Sequence, residues 1–212
     1  MPTNPGLLII MSGPSGAGKG RVRNELLKRR PGIHYGISAT TREKRPGEVD
    51  GVNYYFLSKE EFLRRVERGG FVEWAEVYGN YYGTPRQPME EYLAAGRDVI
   101  IEKDIQGAQS LKAIYPDAVY VFILPPSLEE LRRRITARGT ESEQARNQRL
   151  ASASDELSYI GTYDYAIVND DLQQAVDQLE AIFTAEKCRV HRQPELLSKY
   201  GRSDRWHATE HR

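Results

Sequence analysis

The spacing of apolar and polar positions changes several times along the 212-residue chain. Residues 7–12, Leu-Leu-Ile-Ile-Met-Ser, read as a buried strand, with an unbroken apolar run over 7–11 of the kind a strand buried on both faces requires. A glycine-rich turn follows at residues 13–20. Residues 21–29 read as a helix, stopped by Pro31-Gly32. Residues 33–38 are a weaker strand candidate. Residues 98–103 read as a strand ending near Asp104, and residues 118–124 as a very apolar strand closed by Pro125-Pro126. Ser127 is placed to cap a helix over 128–138, with Glu130 in the capping-box position. A helix over 143–159, a short strand over 165–168 and a last amphipathic helix over 171–187 complete the series. That last helix carries Leu172, Ala175, Val176, Leu179, Ile182 and Phe183 on one stripe. Strands alternating with helices predict an α/β fold with a parallel sheet.

The rhythm breaks between residues 40 and 85, where Gly, Tyr and charged residues crowd short alternating runs at 52–57 and 71–77. This stretch reads as an inserted subdomain, about 38–85, of hairpins plus one helix over 59–68. The core then comprises 1–37 and 86–190 of a single domain, 1–190. Residues 191–212 read as a polar tail, partly disordered.

Composition narrows the function. Lys+Arg and Asp+Glu are 30 each, so the net charge is zero, whereas a dedicated nucleic-acid binder is usually basic. The single cysteine, Cys188, excludes an internal disulfide framework and a thiolate metal site, and fits a reducing compartment. No apolar run approaches the ~20 residues of a membrane span. Met1-Pro2-Thr3-Asn4-Pro5 has no basic start of a secretory leader. A cytoplasmic protein without membrane or nucleic-acid partners is expected. His34 falls in a strand, and His191, His207 and His211 in the tail have no metal-ligand spacing.

Gly13-Pro14-Ser15-Gly16-Ala17-Gly18-Lys19-Gly20 follows a strand and opens a helix, the context a phosphate-binding loop requires. Its glycines let backbone N–H groups turn inward around phosphate oxygens, and the helix N-terminus adds partial positive charge. Lys19 supplies a point charge. Neither Gly20 nor Arg21 offers the hydroxyl that often touches Mg²⁺ at this place.

A second anion site is suggested by Arg42 and Arg45, three apart and able to fork onto one phosphate, with tyrosine hydroxyls nearby. Glu73 suits the N1–H and exocyclic N–H donors of guanine, and Ser38 or Thr84 suits its O6; adenine presents the opposite pattern. Singly, each feature is as well explained by a solvated face or by packing.

Taken in order, SGPSGAGKG, SATTREKRPGEVDGVNYYF, EWAEVYGNYYGT, RGTESEQARNQRL and VNDDL resemble the guanylate kinase family, whose members phosphorylate GMP from ATP; the likeness runs from about residue 6 to about residue 189. The resemblance implies a five-stranded parallel sheet, a GMP-binding insertion after the second strand and a mobile lid at about 138–150. It implies GMP-phosphate contacts at Arg42, Arg45, Tyr54 and Tyr82, with Glu48 orienting the two arginines. It implies guanine contacts at Ser38, Glu73, Thr84 and Asp104, and an acidic position near GMP and the metal waters at Glu102. Arg134, Arg138 and Arg149 match lid-side arginines that approach the transferring phosphoryl group, and Asn169 an adenine-side position. ATP and GMP or dGMP are the implied substrates. Mg²⁺ is the implied cofactor, held through ATP oxygens and waters, and the state is monomer or homodimer.

Two other readings stand beside this one. A guanylate-kinase-like binding module would keep the fold and lose the chemistry; Lys19, Arg42, Arg45 and Glu73 occurring together oppose it. A P-loop kinase for another acceptor is opposed by Glu73 with Ser38 and Thr84. Two positions depart from the resemblance. Arg21 stands where a threonine is usual. Lys103 stands where an aliphatic residue is usual, on the parity of Val99 and Ile101; a buried ammonium there must snorkel or find a carboxylate. On the sequence alone, Lys103→Ile is expected to raise stability.

Overall fold

The structure is a computed structural model and describes residues 5–77, 79–136, 150, 153 and 155–200. Its larger sheet contains β1 (Leu8–Ser12), β2 (His34–Tyr35), β7 (Val99–Glu102), β8 (Val119–Leu124) and β9 (Tyr165–Val168), in the order β2-β7-β1-β8-β9. Every pairing in it is parallel. This is the parallel α/β sheet that the alternation of elements predicts.

Strand parity divides the core. Ile9 and Met11, with Ile100, Val121 and Ile123, face Val22 and Leu26 of α1 (Lys19–Arg29) and Val176, Leu179 and Phe183 of α6 (Leu172–Lys187). Leu8, Ile10, Val99 and Ile101 face the other way, onto Met89 of α3 (Arg86–Ala94) and Leu111 of α4 (Ile105–Ile114). With helices on both faces, the central strand must be apolar throughout, and each buried Ile or Leu contributes about 1.5–3 kcal/mol.

The second sheet has the order β4-β3-β6-β5, from β3 (Ala39–Thr40), β4 (Tyr55–Phe56), β5 (Phe71–Val77) and β6 (Asn80–Pro85). Its small core is Ala39, Phe62 and Phe71, and Phe62 of α2 (Lys59–Glu67) stacks on Phe71 at 4.3 Å between ring centroids. Val72 of β5 packs into the core cluster of the first sheet, which fixes the two sheets against each other.

Several predicted elements shift. The candidate strand at 33–38 is cut to His34–Tyr35, and the chain then leaves for the second sheet, passing at Gly36 so close to β7 that a Cβ there would stand 2.5 Å from Ile101 Cγ2. The run at 52–57 contracts to Tyr55–Phe56 and pairs parallel with β3, so the insertion is not all hairpins; β5 and β6 are one. The first helix begins at Lys19, two residues early, because Gly18 at φ 89° is its N-cap. Helices α3 and α4 are not among the predicted elements. The helix α5 (Leu128–Thr136) starts as predicted, with Ser127 Oγ accepting from Glu130 N at 3.0 Å. Most of the predicted helix at 143–159 lies outside the described residues; 155–157 are helical. The tail is structured to Tyr200: a 3-10 turn, Val190–Arg192, leads into α7 (Pro194–Tyr200). Arg192 ties it back by donating to Asp117 O at 2.5 Å. Polarity marked the tail as unable to build a core, but Arg192, which also lies 3.6 Å from Glu186 of α6, ties its start to the body of the domain.

Candidate active site

The phosphate loop leaves the carboxyl end of β1, where open α/β sheets bind ligands. Gly13 has φ 139°, and a Cβ there would stand 2.2 Å from Ile123 O, so only glycine lets the chain turn so close to β8. Gly16 and Gly18 also have positive φ. Pro14 O accepts from Ala17 N at 3.1 Å, which closes the turn. Asn169, at the end of β9, is buried and donates from Nδ2 to Ala17 O at 2.8 Å. It therefore braces the loop from behind. Lys19 Nζ lies back over the loop, donating to Gly13 O at 2.5 Å and Pro14 O at 3.2 Å.

Two cavities meet at this loop. One of about 440 Å³ runs toward the second sheet and is lined by Tyr35, Ser38, Glu48, Tyr54 and Lys103, among others. The other, of about 980 Å³, runs along the mouth of α1 and is lined by Gly16, Gly18, Gly20, Arg21, Arg134 and Asn169, among others. Ser15, Lys19 and Glu102 line both. A third cavity of about 640 Å³ lies at the opposite edge of the sheet, by Leu7 and Arg192, and contains none of these groups.

In the larger cavity Arg134 is held by Glu130, Nε to Oε1 at 2.7 Å, and its Nη2 donates to Asn169 O at 3.4 Å. The Arg133 and Arg134 guanidiniums pull the Glu130 carboxyl down to about 2. Arg21 is exposed on the cavity wall. Arg138 and Arg149 lie outside the described residues.

Glu48 of the smaller cavity forms a two-pronged pair with Arg42, Nη1 to Oε2 at 3.0 Å and Nη2 to Oε1 at 2.9 Å. Arg42 also stands over the Tyr54 ring at 5.5 Å, and the Tyr54 and Tyr82 rings meet edge to face at 6.2 Å. Glu48 does not orient the Arg45 guanidinium as expected. It holds the Arg45 backbone N–H at 2.9 Å, and the Arg45 side chain is exposed. The reason is the turn at 45–48, which brings the backbone rather than the side chain to the carboxylate.

Behind the arginine stand Ser38, Glu73, Thr84 and Lys103. Thr84 is 1% exposed and donates from Oγ1 to Glu73 Oε1 at 2.6 Å. Lys103 Nζ pairs with the same oxygen at 2.6 Å and lies 3.3 Å from Ser38 Oγ. Lys103 thus resolves the choice posed by its sequence position by finding a carboxylate.

Glu102 and Lys103 part company by parity. Glu102 shares the face of Ile100 and turns to α1, where Arg23 Nη1 stands 3.0 Å from Oε1. The approach is off the hydrogen-bonding direction, so among the described residues this buried oxygen has no hydrogen-bond partner. Burial pushes the Glu102 carboxyl up, against the opposing pull of Arg23 and Lys19. Asp104 lies past the end of β7. It caps α4 by accepting from Gly107 N at 2.7 Å, and it still lines the cavity beside Glu102.

Sequence reasoning missed Arg23 and Glu156. Glu156 Oε2 accepts from Ser15 N at 3.3 Å, and burial pushes its carboxyl up while Lys19 pulls it down. Its partner is 141 residues away, and no local pattern signals that pairing.

A parallel sheet with an anion cradle at its carboxyl edge, faced by a second sheet bearing arginine, tyrosine and carboxylate groups, defines a P-loop nucleotide kinase. A family model described as guanylate kinase matches residues 6–186. The chain belongs to the guanylate kinase family, as its motifs imply. It is 58% identical over 193 residues to a guanylate kinase of Symbiobacterium thermophilum, covering 91% of this chain and 92% of that one. It is 53% identical over 194 residues to one of Desulfitobacterium hafniense, covering 92% and 97%. The crystal structure of guanylate kinase from Anaplasma phagocytophilum superposes with a TM-score of 0.76 at 36% identity, over 93% of this chain and 96% of that one. No helix among the described residues is long and apolar enough to cross a membrane.

Proposed function

We propose that the protein transfers the γ-phosphoryl group of ATP to GMP, and to dGMP. The observation that carries this reading is the pair of cavities sharing a wall at Ser15, Lys19 and Glu102. Two substrates can then meet across this shared wall, with Lys19 between them. The larger cavity, with the loop, Arg134 and Asn169, takes ATP. The smaller takes GMP, its phosphate toward Arg42, Tyr54 and Tyr82, its base toward Ser38, Glu73 and Thr84, with Asp104 nearby. Arg45, exposed in this structure, is assigned to the phosphate by family resemblance.

The nucleophile is an oxygen of the GMP phosphate, already anionic at neutral pH. It bonds to the γ-phosphorus as the bond to the ADP oxygen breaks, so no strong general base is required. Lys19, Arg42 and Arg134 neutralise charge on the transferring group and align it. Arg138 and Arg149 belong to the same role by family resemblance. The family uses Mg²⁺ with ATP, and the residues present fit it: Glu102 offers a buried oxygen with no hydrogen bond among the described residues, beside the loop and Asp104. Glu102 and Asp104 would hold the ion through its waters, and when bound it supplies further positive charge to the phosphates. The contacts assigned here are to base and phosphate, so a missing ribose 2′-OH should matter little and dGMP should serve.

A coupled assay with Mg-ATP and GMP, dGMP, AMP or UMP tests the reading. Turnover of GMP and dGMP, with AMP and UMP poor, is the expected result. No turnover with any of them would leave the fold as a binding module.

A further inference from the structure

We propose that Lys103 is a specificity-determining residue that reads the O6 edge of the acceptor base together with Glu73. The inference rests on the base site proposed above and adds a residue to it. Parity places Lys103 on the face of Val99 and Ile101, toward α4 and the second sheet, and away from the phosphate loop. Its stem lies over Gly107 in the first turn of α4, where a Cβ would stand 3.3 Å from Lys103 Cδ. The head is thereby aimed at one place. There it makes a 2.6 Å ion pair with Glu73 Oε1 and lies 3.3 Å from Ser38 Oγ, with side-chain exposures of only 9% for Lys103 and 12% for Glu73. Lys103 and Ser38 also line the acceptor cavity.

This pair sets an anionic acceptor and a cationic donor side by side, with Lys103 itself on the wall of the cavity. A 6-oxopurine presents the complementary order on neighbouring atoms: N1–H donates and O6 accepts. Guanine can therefore extend the ion pair, with N1–H and the 2-amino group on Glu73 and O6 on Lys103. A 6-aminopurine inverts both positions. Its amino group meets the ammonium and its bare N1 meets the carboxylate. Both clashes occur where water is largely excluded, so the rejection is steep. Thr84 donates to the same Glu73 oxygen and so fixes the carboxylate, and the Ser38 hydroxyl, beside the ammonium, can add a second donor near O6.

The test compares GMP with 2,6-diaminopurine riboside 5′-monophosphate, which keeps the 2-amino group and inverts only positions 1 and 6. Wild-type protein should strongly prefer GMP. Lys103→Met removes the charge and keeps the stem. In that variant KM for GMP should rise about ten- to a hundredfold with kcat much less affected, and the preference for GMP should fall by a similar factor. If Lys103 only anchors Glu73, both substrates will weaken together and the ratio will hold, which overturns the proposal. An unchanged or lower KM for GMP overturns it too. Should Lys103→Met be too unstable to assay, ¹⁵N-lysine-labelled wild-type protein gives a second readout. The Lys103 ammonium resonance should shift on addition of GMP, and a resonance that GMP leaves unmoved overturns the proposal. Failure of the wild-type protein to phosphorylate GMP at all would instead remove the proposed function itself.

Discussion

At the residue scale, two side chains separate the site's two tasks. In the proposed reading Glu73 serves recognition. Its Oε1 already accepts from Thr84 and Lys103, so Glu73→Gln both presents an N–H₂ group to guanine's donors and leaves the Lys103 ammonium, only 9% exposed, without its carboxylate. We expect kcat/KM for GMP to fall about a hundredfold or more and the preference over AMP to collapse; steady-state kinetics with both nucleotides checks it. A retained wild-type preference would refute the base-site assignment. In the same reading Lys19 serves the chemical step. It touches both cavities, and the charge it neutralises is greatest in the transition state. Lys19→Ala should lower kcat by about 10²–10³ while calorimetric titration still finds near-normal GMP affinity. A matched loss of GMP binding would place the lysine in the acceptor site instead. Lys103→Ile, which on sequence alone should stabilise, now has the opposite expectation. It would strip a largely buried carboxylate of its partner.

The element that matters most is the turn from β1 into α1. Its path is set by Gly13, where φ 139° and the 2.2 Å approach to Ile123 O leave no room for a methyl group. Gly13→Ala should cost about 1–3 kcal/mol of stability and also displace the loop, so Tm and ATP binding should fall together. Thermal melts with and without ATP measure both, and a normal Tm with normal ATP binding would contradict this account of the turn. The loop itself was legible because strand, glycine spacing and helix are contiguous in the chain. The pattern of apolar residues was equally clear for β5, β9 and α6. It failed for α3 and α4, which lie among turn-like residues. α4 shows only Ile105, Ala108 and Leu111 as a buried stripe, too short a repeat to read without the sheet beneath it.

At the scale of the whole molecule, stability should depend on pH through His34. Its ring stacks on Tyr92 at 3.7 Å between the edge strand β2 and helix α3. Burial first, and then Arg97, lowers its pKa below the ordinary 6.5. The unfolded chain therefore binds the proton more readily than the folded one. This contribution to stability is fully present above about pH 6.5 and is lost as pH falls toward the lowered folded value. Denaturant titrations between pH 7.5 and 5.5 should show the decline, and His34→Phe should flatten it. An identical slope in the variant would assign the decline to other groups.

The sequence alone determined the phosphate loop, the family and most of the large sheet, because each is carried by neighbours in the chain: an apolar run, a glycine spacing, a cap. It also named the residues proposed for the acceptor side, since the motifs hold them in short segments. Tertiary structure alone decided how those residues are paired. Glu48 took the Arg45 backbone instead of its guanidinium because a turn intervened. Glu156 reached Ser15 across 141 positions, and Lys103 reached Glu73 across 30. Pairings at such separations depend on how one sheet is set against the other, through contacts such as Val72 in the core of the first sheet. A side chain's periodicity says which face it takes; what waits on that face is settled only when the second element packs there.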